Sequence, residues 1–460
     1  MSELRAVMSA LEAGFDDYIE AIRTAIRIPS VSKTGQGLDE MAAWLVTQLQ
    51  LLGAEATLEE GQIAPIVFGS LRSPGAKRTL LFYDLYDVQP ADQQHWVSPP
   101  FAAEISRDGK LIGRGAFNSK GPLIGFLNVL RAFNKAGVEL PVNLVFVIEG
   151  EEEIGSPSLE PFLRKRADLL RDCDAAFIPY LGTNAAGKTI VRLGFKGLMM
   201  LKLGVRGGEW GGPAERDIHA MHSGWLASPA NELVSALASL QSRDGKLSVE
   251  GIASGLDPDP DDQALLADAA SSFDKQAWLT ELGARRFKYD AGPEDLLRHL
   301  LFDSTLNIDG MWVGDTPPGV EPPTHLAGHA NAVLDLRLVP GMTVEATANA
   351  LRRHLDLHGF GHVELEVTSA YPASKTSVRE PVVDALLKSC RRHTNDLTVY
   401  PIHAGAAPMH LFTEVLGIPY AFGGVGHGAN AHAPNEYLDV ASMRDFMAAT
   451  ADFLFEFGAH

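Results

Sequence analysis

Apolar residues in the first third of the chain follow two patterns, short continuous runs and repeats at helical spacing. The runs Thr79–Phe82 and Val142–Ile148 have the length and continuity of strands that are buried on both faces, as in a parallel sheet. Helical spacing marks Leu11–Ile26, Leu38–Leu52 and Leu123–Phe133. Strands and helices in succession predict an α/β sandwich.

The pattern changes at about residue 193. Leu198–Val205 and Ala332–Leu338 are typical of strands, whereas Pro229–Leu240 and Val344–Leu355 are typical of helices. This part of the chain therefore predicts a small α+β unit.

The first pattern returns at about residue 374, so one domain is predicted to be interrupted by another. We expect an α/β domain formed by residues 1–192 and 374–460, with a lid domain of residues 193–373 inserted into it. Within the lid, the acidic and proline-rich run 256–262 is interpreted as a solvated loop.

Composition narrows the class of protein. Of the 460 residues, 46% are hydrophobic and 21% are charged, as in globular proteins, and the length favours two domains. A net charge of −19 argues against nucleic acid, because phosphates need a basic surface. No run approaches the roughly 18 apolar residues of a membrane-spanning helix, and the first 28 residues do not resemble a signal peptide.

Cysteine usage bears on the cellular compartment. Cys173 and Cys390 are the only two cysteines, which suits a reducing compartment and offers no cysteine metal cluster. We therefore expect a cytoplasmic protein.

Acidic residues follow both predicted buried strands. Asp84 and Asp87 follow the first strand, on either side of Leu85, and Glu151–Glu153 follow the second. Because α/β enzymes place their chemistry at the carboxyl ends of parallel strands, these residues are candidates for an active site. Each has a structural alternative: Asp87 can cap a turn, and the three glutamates can form a solvated acidic turn.

Two glycine-rich segments add further candidates. Gly113–Pro122 precedes a predicted helix, and its backbone amides are expected to point towards the site. The segment Gly426–Glu436 contains His432, which can be a metal ligand or a hydrogen-bonded structural residue. The same two interpretations apply to His219 and His222.

Six motifs occur in order along nearly the whole chain: YDVQP, GRGAFNSKGPL, EGEEEIGS, RDIHAMHSG, LDLRLVPG and HAPNE. This ordered set resembles the family of two-zinc amidohydrolases that includes carnosinase, acetylornithine deacetylase and succinyl-diaminopimelate desuccinylase. The resemblance implies a zinc-peptidase-like α/β/α sandwich with an inserted α+β lid. It also implies a homodimer formed through the lid, and hydrolysis of an amide or peptide bond near a free carboxylate in a small molecule.

The resemblance assigns roles to four of the candidates. Glu152 matches the general base, and Glu153 and His432 match ligands of one metal ion. Asp87 matches the residue that orients a histidine ligand, yet Leu85 occupies the position of that histidine.

Further departures concern the metal site. Asn118 replaces a bridging aspartate, and Tyr180 replaces another ligand aspartate. In the family, the positions of Leu85 and Tyr180 serve the same metal ion, so we predict that one metal site is lost and that a two-metal site is not formed.

The remaining predicted ligands are few. Glu153, His432 and the amide oxygen of Asn118 are expected to hold one weakly bound Zn²⁺ or none, because zinc normally takes three or four ligands. Asp84 and His427 are additional candidates that spacing alone does not decide.

The lid contributes residues that the resemblance places near the substrate. His219 or His222 corresponds to a histidine that reaches the site of a partner subunit and stabilises the oxyanion there, with a slight preference for His219. Arg337 corresponds to the residue that binds the substrate carboxylate, and Thr324 to a neighbour of the substrate. Ala406 replaces a substrate-binding serine.

These observations lead to one main hypothesis and two alternatives. The main hypothesis is a dipeptidase-like hydrolase of a C–N bond with a degenerate, mononuclear or metal-free site. The first alternative is a metal-independent lyase or isomerase that uses acid/base residues such as Asp84, Asp87 and Tyr180, of which Asp84 and Tyr180 are also predicted to contact substrate. The second alternative is a binding protein without catalytic activity.

Overall fold

The computed structural model describes residues 2–252, 255–315, 320–321 and 324–460. These residues pack into two compact units. The first unit comprises Met1–Leu193, Thr376–Tyr400 and Leu411–His460, and the second comprises Gly194–Lys375 and Pro401–His410.

The described residues form thirteen α-helices, here numbered along the chain. They are α1 (Ser2–Ala13), α2 (Phe15–Arg27), α3 (Leu38–Leu51), α4 (Lys120–Ala136), α5 (Leu159–Lys165), α6 (Ala167–Leu170), α7 (Pro229–Leu240), α8 (Pro260–Ser271), α9 (Lys275–Glu281), α10 (Pro293–Phe302), α11 (Val344–Leu357), α12 (Pro381–His393) and α13 (Ser442–Ala459). Shorter helical turns occur at Glu152–Ile154, Ala220–Gly224 and Leu411–Leu416.

The strands of the described residues number twenty. They are β1 (Glu55–Glu59), β2 (Ile66–Leu71), β3 (Thr79–Leu85), β4 (Glu104–Ile105), β5 (Lys110–Ile112), β6 (Asn143–Glu149), β7 (Ala175–Pro179), β8 (Thr189–Arg192), β9 (Gly194–Arg206), β10 (Ile218–His219), β11 (Thr305–Val313), β12 (His325–Leu326), β13 (His329–Leu338), β14 (Glu364–Tyr371), β15 (Ser374–Lys375), β16 (Leu397–Tyr400), β17 (His403–Ala406), β18 (Tyr420–Gly423), β19 (Gly428–Ala429) and β20 (Tyr437–Asp439).

The first unit is built on an eight-stranded sheet with the order β1-β2-β6-β3-β7-β18-β8-β16. Its centre is parallel, because β6 pairs with β3, β3 with β7, and β7 with β18 in the same direction. Residues such as Leu81, Phe82 and Val147 are fully buried in these strands, as expected for a parallel sheet that is covered on both faces. A separate antiparallel sheet has the order β19-β20-β5-β4.

Helices pack on this central sheet and on one another. The ring of Phe126 in α4 stacks on that of Phe82 in β3, with 4.1 Å between the ring centroids. Gly125 of α4 lies against α13, where an added Cβ atom would stand 2.7 Å from the ring of Phe446. Only glycine therefore permits this close approach of the two helices.

The second unit has a sheet of its own, with the order β11-β13-β9-β14 and with β15 and β17 also paired to β9. The hydrophobic core of this unit lies between the sheet and the helices α7 and α11. It includes Leu203 of β9, Leu334 of β13, Leu237 of α7 and Leu351 of α11. Strands β10 and β12 form a small two-stranded sheet.

Three segments differ from the sequence-based expectations. The predicted helix Leu11–Ile26 is divided at Gly14 between α1 and α2. The run 256–262 is a loop only in part, because its last three residues begin α8. Asp259 caps this helix by accepting a hydrogen bond from the amide of Asp262. The side chain of Asp262 is buried and pairs with Lys375. The segment Pro401–His410 groups with the second unit because β17 pairs with β9.

Among the described residues, no helix combines the length and the apolar character needed to cross a lipid bilayer.

Candidate active site

Four neighbouring strands of the first unit end at one edge of the sheet. Asp84 and Leu85 are the last residues of β3, Glu149 is the last residue of β6, and Tyr180 follows β7 directly. The loop with His432 follows β18. Because these strands run in parallel, their polar carboxyl ends meet at the same edge.

The three consecutive glutamates have different environments. The carboxylate of Glu151 is buried and accepts hydrogen bonds from the amides of Ile63 at 2.6 Å, Ala64 at 2.8 Å and Ser158 at 3.1 Å. Glu151 thus anchors the loop that contains Ile63 and Ala64, and its carboxylate is not available for chemistry. Glu152 and Glu153 begin the helical turn that follows.

Asp87 holds that turn in place. Its carboxylate accepts from the amide of Glu152 at 3.2 Å and from the amide of Glu153 at 3.0 Å. Burial raises the pKa of Asp87 to about 6. With Leu85 in the position of the family's histidine, Asp87 orients the backbone of the two glutamates, which is the turn-capping alternative raised from the sequence.

Glu153 is the centre of a hydrogen-bonded network. Its Oε1 atom lies 2.8 Å from Nδ2 of Asn118 and 3.0 Å from Nε2 of His432, and its Oε2 atom accepts from Gln89 at 2.9 Å. The Asn118 nitrogen also lies 3.1 Å from Nε2 of His432. The hydrogen bond to Glu153 raises the pKa of His432.

Glu152 is the acid whose properties best suit proton transfer. Burial and the negative charges of Glu153 and Asp87 raise the pKa of Glu152 to about 8. A carboxyl group with a pKa near neutrality can accept and return a proton efficiently at physiological pH.

Leu85 and Tyr180, the two positions predicted to lack a metal ligand, have packed surroundings. Leu85 is buried, with 9% of its surface exposed. The ring of Tyr180 packs against Phe117, with centroids 5.1 Å apart, and against Phe422, with centroids 4.9 Å apart. Burial also raises the pKa of the Tyr180 hydroxyl. The residues at these two positions therefore do not fit a metal ion.

The other metal position is different. Glu153 Oε1, His432 Nε2 and the Asn118 amide lie 2.8–3.1 Å from one another. Two ligands of a tetrahedral zinc ion are about 3.3 Å apart, and rotating the Asn118 amide by a half-turn would bring its oxygen to the same place. Among the described residues no group of three His, Cys, Asp or Glu side chains could hold a metal ion, so the Asn118 oxygen is needed to complete a three-ligand set. The three residues together fit one ion.

The two additional ligand candidates do not join this set. Asp84 is fully buried, and one of its oxygens accepts from the Ser119 hydroxyl at 2.7 Å and from the amide of Leu85 at 2.8 Å. Burial holds the pKa of Asp84 well above its ordinary value. His427 uses both ring nitrogens, on the Thr183 carbonyl at 2.8 Å and the Tyr437 hydroxyl at 3.1 Å.

Glu436 is a supporting residue that the sequence analysis did not single out. Its buried carboxylate pairs with Arg114 at 2.8 Å and accepts from the amides of Phe117 at 3.0 Å and Asn118 at 2.8 Å. These amides were expected to face the site, but Glu436 occupies them. Arg114 lies in the motif GRGAFNSKGPL and Glu436 in the motif HAPNE. These two motifs are therefore the sequence signal from which the ion pair could have been predicted.

Of the predicted residues of the second unit, His219 ends β10, His222 lies in the helical turn that follows, Thr324 directly precedes β12, and Arg337 lies on β13. Nδ1 of His219 accepts from the amide of Met221 at 3.1 Å, and Nδ1 of His222 accepts from the Trp225 indole at 3.0 Å. In both histidines this leaves Nε2 as the nitrogen that carries a proton. Thr324 is exposed. Arg337 donates through Nε to Asp335 at 2.8 Å.

An α/β unit with a parallel sheet, an acidic strand edge and an inserted α+β unit is the architecture of zinc-peptidase-like amidohydrolases. The chain belongs to peptidase family M20/M25/M40, whose family model matches residues 82–456.

Individual relatives agree with this assignment. The chain is 30% identical over 373 residues to human Beta-Ala-His dipeptidase, covering 77% of this chain and 71% of the relative. It is 27% identical over 493 aligned positions to Cys-Gly metallodipeptidase DUG1 of Candida albicans, covering 99% of this chain and 97% of the relative.

Solved structures are also similar. The M20 family metallo-carboxypeptidase Sso-CP2 from Sulfolobus solfataricus has a TM-score of 0.86 and 30% identity, covering 96% of this chain and 99% of that one. Human carnosine dipeptidase 1 has a TM-score of 0.77 and 25% identity, covering 99% and 100% of the two chains.

These comparisons confirm the predicted family, the fold class and the assignment as a dipeptidase-like hydrolase of a peptide C–N bond. The relatives are metallopeptidases or dipeptidases, and none supports a lyase, an isomerase or a binding protein.

Glu149 makes the stability of this acidic edge depend on pH. Its buried carboxyl group accepts from the Tyr83 hydroxyl at 2.5 Å and from the Ser156 hydroxyl at 2.9 Å, and burial raises its pKa to about 8. Between about pH 5 and pH 8 the folded state therefore keeps a proton that the unfolded state releases. This group thus lowers the free energy of unfolding as the pH rises, by up to about 1.4 kcal/mol per pH unit.

We expect Glu149→Gln to make this pH dependence shallower, because the substituted residue does not titrate. Urea unfolding at a series of pH values between about 5 and 8 measures the slope. Asp108→Asn is the control, since the pKa of this exposed acid is lowered to about 2 and it does not titrate in that range. An unchanged slope in Glu149→Gln would show that Glu149 is ionised in the folded protein.

Proposed function

We propose that this chain hydrolyses a peptide-type C–N bond in a small molecule that carries a free carboxylate, with Glu152 as the general base. The observation that carries the proposal is the state of the Glu152 side chain. Asp87 fixes its turn, its pKa is raised to about 8, and no described residue makes a hydrogen bond to its carboxyl group. A carboxyl group that is held in place and unpaired is available to take a proton from water.

Dipeptides are the proposed substrates. The names of the relatives give Cys-Gly and β-Ala-His as the molecules they act on, and both have a free carboxylate at the C-terminus. We assign the binding of this carboxylate to Arg337, whose planar guanidinium matches the geometry of a carboxylate. Ala406 stands where the family has a substrate-binding serine, so we expect weaker contacts to the peptide at that position.

In this proposal Glu152 removes a proton from the water molecule that attacks the carbonyl carbon, and then gives a proton to the departing amine nitrogen. Such acid/base transfer contributes about 10²–10⁴-fold to the rate, so the carbonyl oxygen needs separate stabilisation. His219 or His222 is the proposed donor to this oxygen, with a slight preference for His219, because in both residues Nδ1 is already occupied and Nε2 carries the proton.

We further propose a mononuclear metal site. Glu153, His432 and the oxygen of Asn118 would hold the ion, and the metal when bound would polarise the carbonyl as a Lewis acid. The packed Leu85 and Tyr180 side chains support the absence of a second ion.

A homodimer formed through the second unit is proposed as well. Strand β11 lies at the edge of its sheet and exposes four apolar side chains: Ile308, Met311, Trp312 and Val313. An edge strand with exposed apolar residues is typical of an interaction surface, and the family resemblance makes a second copy of the chain its occupant.

A cytoplasmic location is proposed on the basis of Cys173 and Cys390, which are both buried and unbridged.

The base assignment predicts the effect of Glu152→Gln. We expect kcat for Cys-Gly or β-Ala-His to fall by about 10²–10⁴-fold, with KM within a few-fold of wild type, because an amide cannot accept the proton. Steady-state kinetics measure both constants, and Glu160→Gln on the surface helix α5 is the control. Full activity in Glu152→Gln would assign the base to another residue.

The metal assignment predicts one zinc ion per chain. Titration calorimetry of the metal-stripped protein should give one equivalent, with affinity reduced at least about tenfold by His432→Ala or Asn118→Ala. Asn118→Asp should raise the affinity because it adds a charged ligand, and Leu85→Ala should leave the stoichiometry unchanged. Two bound equivalents in the wild type would contradict the loss of the second site.

The dimer proposal predicts that Trp312→Glu converts a dimer into a monomer. A charge placed in an apolar interface cannot be hydrated there, so association should be weakened. Light scattering during gel filtration measures the mass in solution. Val97→Glu changes an exposed apolar residue of the first unit in the same way and should leave the mass unchanged. A monomeric wild type would refute the proposal.

A further inference from the structure

One face of the sheet in the second unit carries a row of polar residues around Arg337. In the register of β13 and β11, Arg337 lies opposite Thr305, and Asp335 lies opposite Asn307. Residues two apart along a strand point to the same face, so Asp335 and Arg337 are neighbours on one side of the sheet.

The guanidinium of Arg337 is hydrogen-bonded to a described residue through Nε, and its two terminal nitrogens are not. Its Nε donates to Asp335 Oδ1 at 2.8 Å, and Asp335 is itself buried, with 9% of its surface exposed. The Arg337 side chain is 32% exposed, and no described residue accepts a hydrogen bond from its two terminal nitrogens. The pair of N–H groups that can bind a carboxylate at two points is therefore unpaired.

Strand β11 places a second carboxylate, that of Asp309, near Asp335. A register shift between Ile308 and Gly310 inserts Asp309 as an extra residue at this point of the strand. Asp309 accepts from Asn307 at 2.7 Å, and partial desolvation and the nearby carboxylate of Asp335 raise its pKa. Asp335 thus lies between the guanidinium of Arg337, to which it is hydrogen-bonded, and a second carboxylate.

We propose that Asp335 is a positioning residue, which holds the inner N–H of Arg337 so that the two terminal nitrogens are directed at the carboxylate of the substrate. This inference rests on the proposed function, since it takes Arg337 as the group that binds the carboxylate. An arginine side chain has several rotatable bonds, and fixing its fork beforehand reduces the entropy lost on binding.

Binding of β-Ala-His tests this role, with β-alanylhistamine, the same molecule without its carboxylate, as the comparison. In the Glu152→Gln background, which prevents turnover, calorimetry should show β-Ala-His binding at least about tenfold more weakly after Asp335→Ala. Binding of β-alanylhistamine should be unchanged. Asp335→Asn retains an oxygen that accepts from Nε, so it should restore affinity to within about threefold.

Kinetics and a second substitution separate positioning from a structural role. With Glu152 intact, Asp335→Ala should raise KM for β-Ala-His and leave kcat within about twofold. In an Arg337→Ala background, Asp335→Ala should have no further effect on binding, because the residue that it orients is missing. Asn331→Ala, on the same strand and face, is the control, and thermal unfolding followed by circular dichroism verifies that each variant is folded.

The outcomes distinguish this inference from the proposed function. Equal weakening of both ligands by Asp335→Ala, or a preference for the carboxylate that survives it, would overturn the positioning role alone. Wild-type protein that binds both ligands equally would overturn the role of Arg337, and wild-type protein that binds β-Ala-His without hydrolysing it would overturn the proposed reaction.

Discussion

Parallel pairing of β6, β3, β7 and β18 is the constraint on which the first unit depends. It aligns Leu85 with Glu149 and brings the ends of four strands to one edge of the sheet. The interior of each strand is apolar, so the polar residues of the chain are concentrated where the strands end. The position of the candidate site follows from this topology before any individual side chain is considered.

That concentration of acids creates an electrostatic difficulty, which the structure resolves in three ways. Glu151 and Asp87 bind backbone amides, Glu436 pairs with Arg114, and burial raises the pKa values of Asp84 and Glu149, which disfavours their charged forms. Glu152 and Glu153 are the two that remain for chemistry. Their neighbour His432 contacts Glu153 through Nε2, and this contact raises the pKa of His432.

The buried strands could be predicted from the sequence because they depend on local composition. The departures from the family at Leu85 and Asn118 could be recognised because each lies within or beside a motif, and that at Tyr180 because it directly follows a buried strand. The sequence did not reveal which of three adjacent glutamates turns away, since that depends on the amides of Ile63 and Ala64, nearly 90 positions earlier in the chain. The division of the first predicted helix at Gly14 and the capping of α8 by Asp259 were missed for a related reason. Apolar periodicity is insensitive to a single glycine, and an acidic run has the same composition whether it caps a helix or faces solvent.

The aromatic packing around Tyr180 also bears on how such a site can change over generations. A histidine restored at position 85 alone would be a buried polar group without a metal ion to bind, and an aspartate restored at position 180 alone would remove a ring that packs against Phe117 and Phe422. Each single reversion is therefore unfavourable until the other is present. Under the proposed loss of the second metal site, a two-metal centre could not be regained one substitution at a time without passing through a less stable protein.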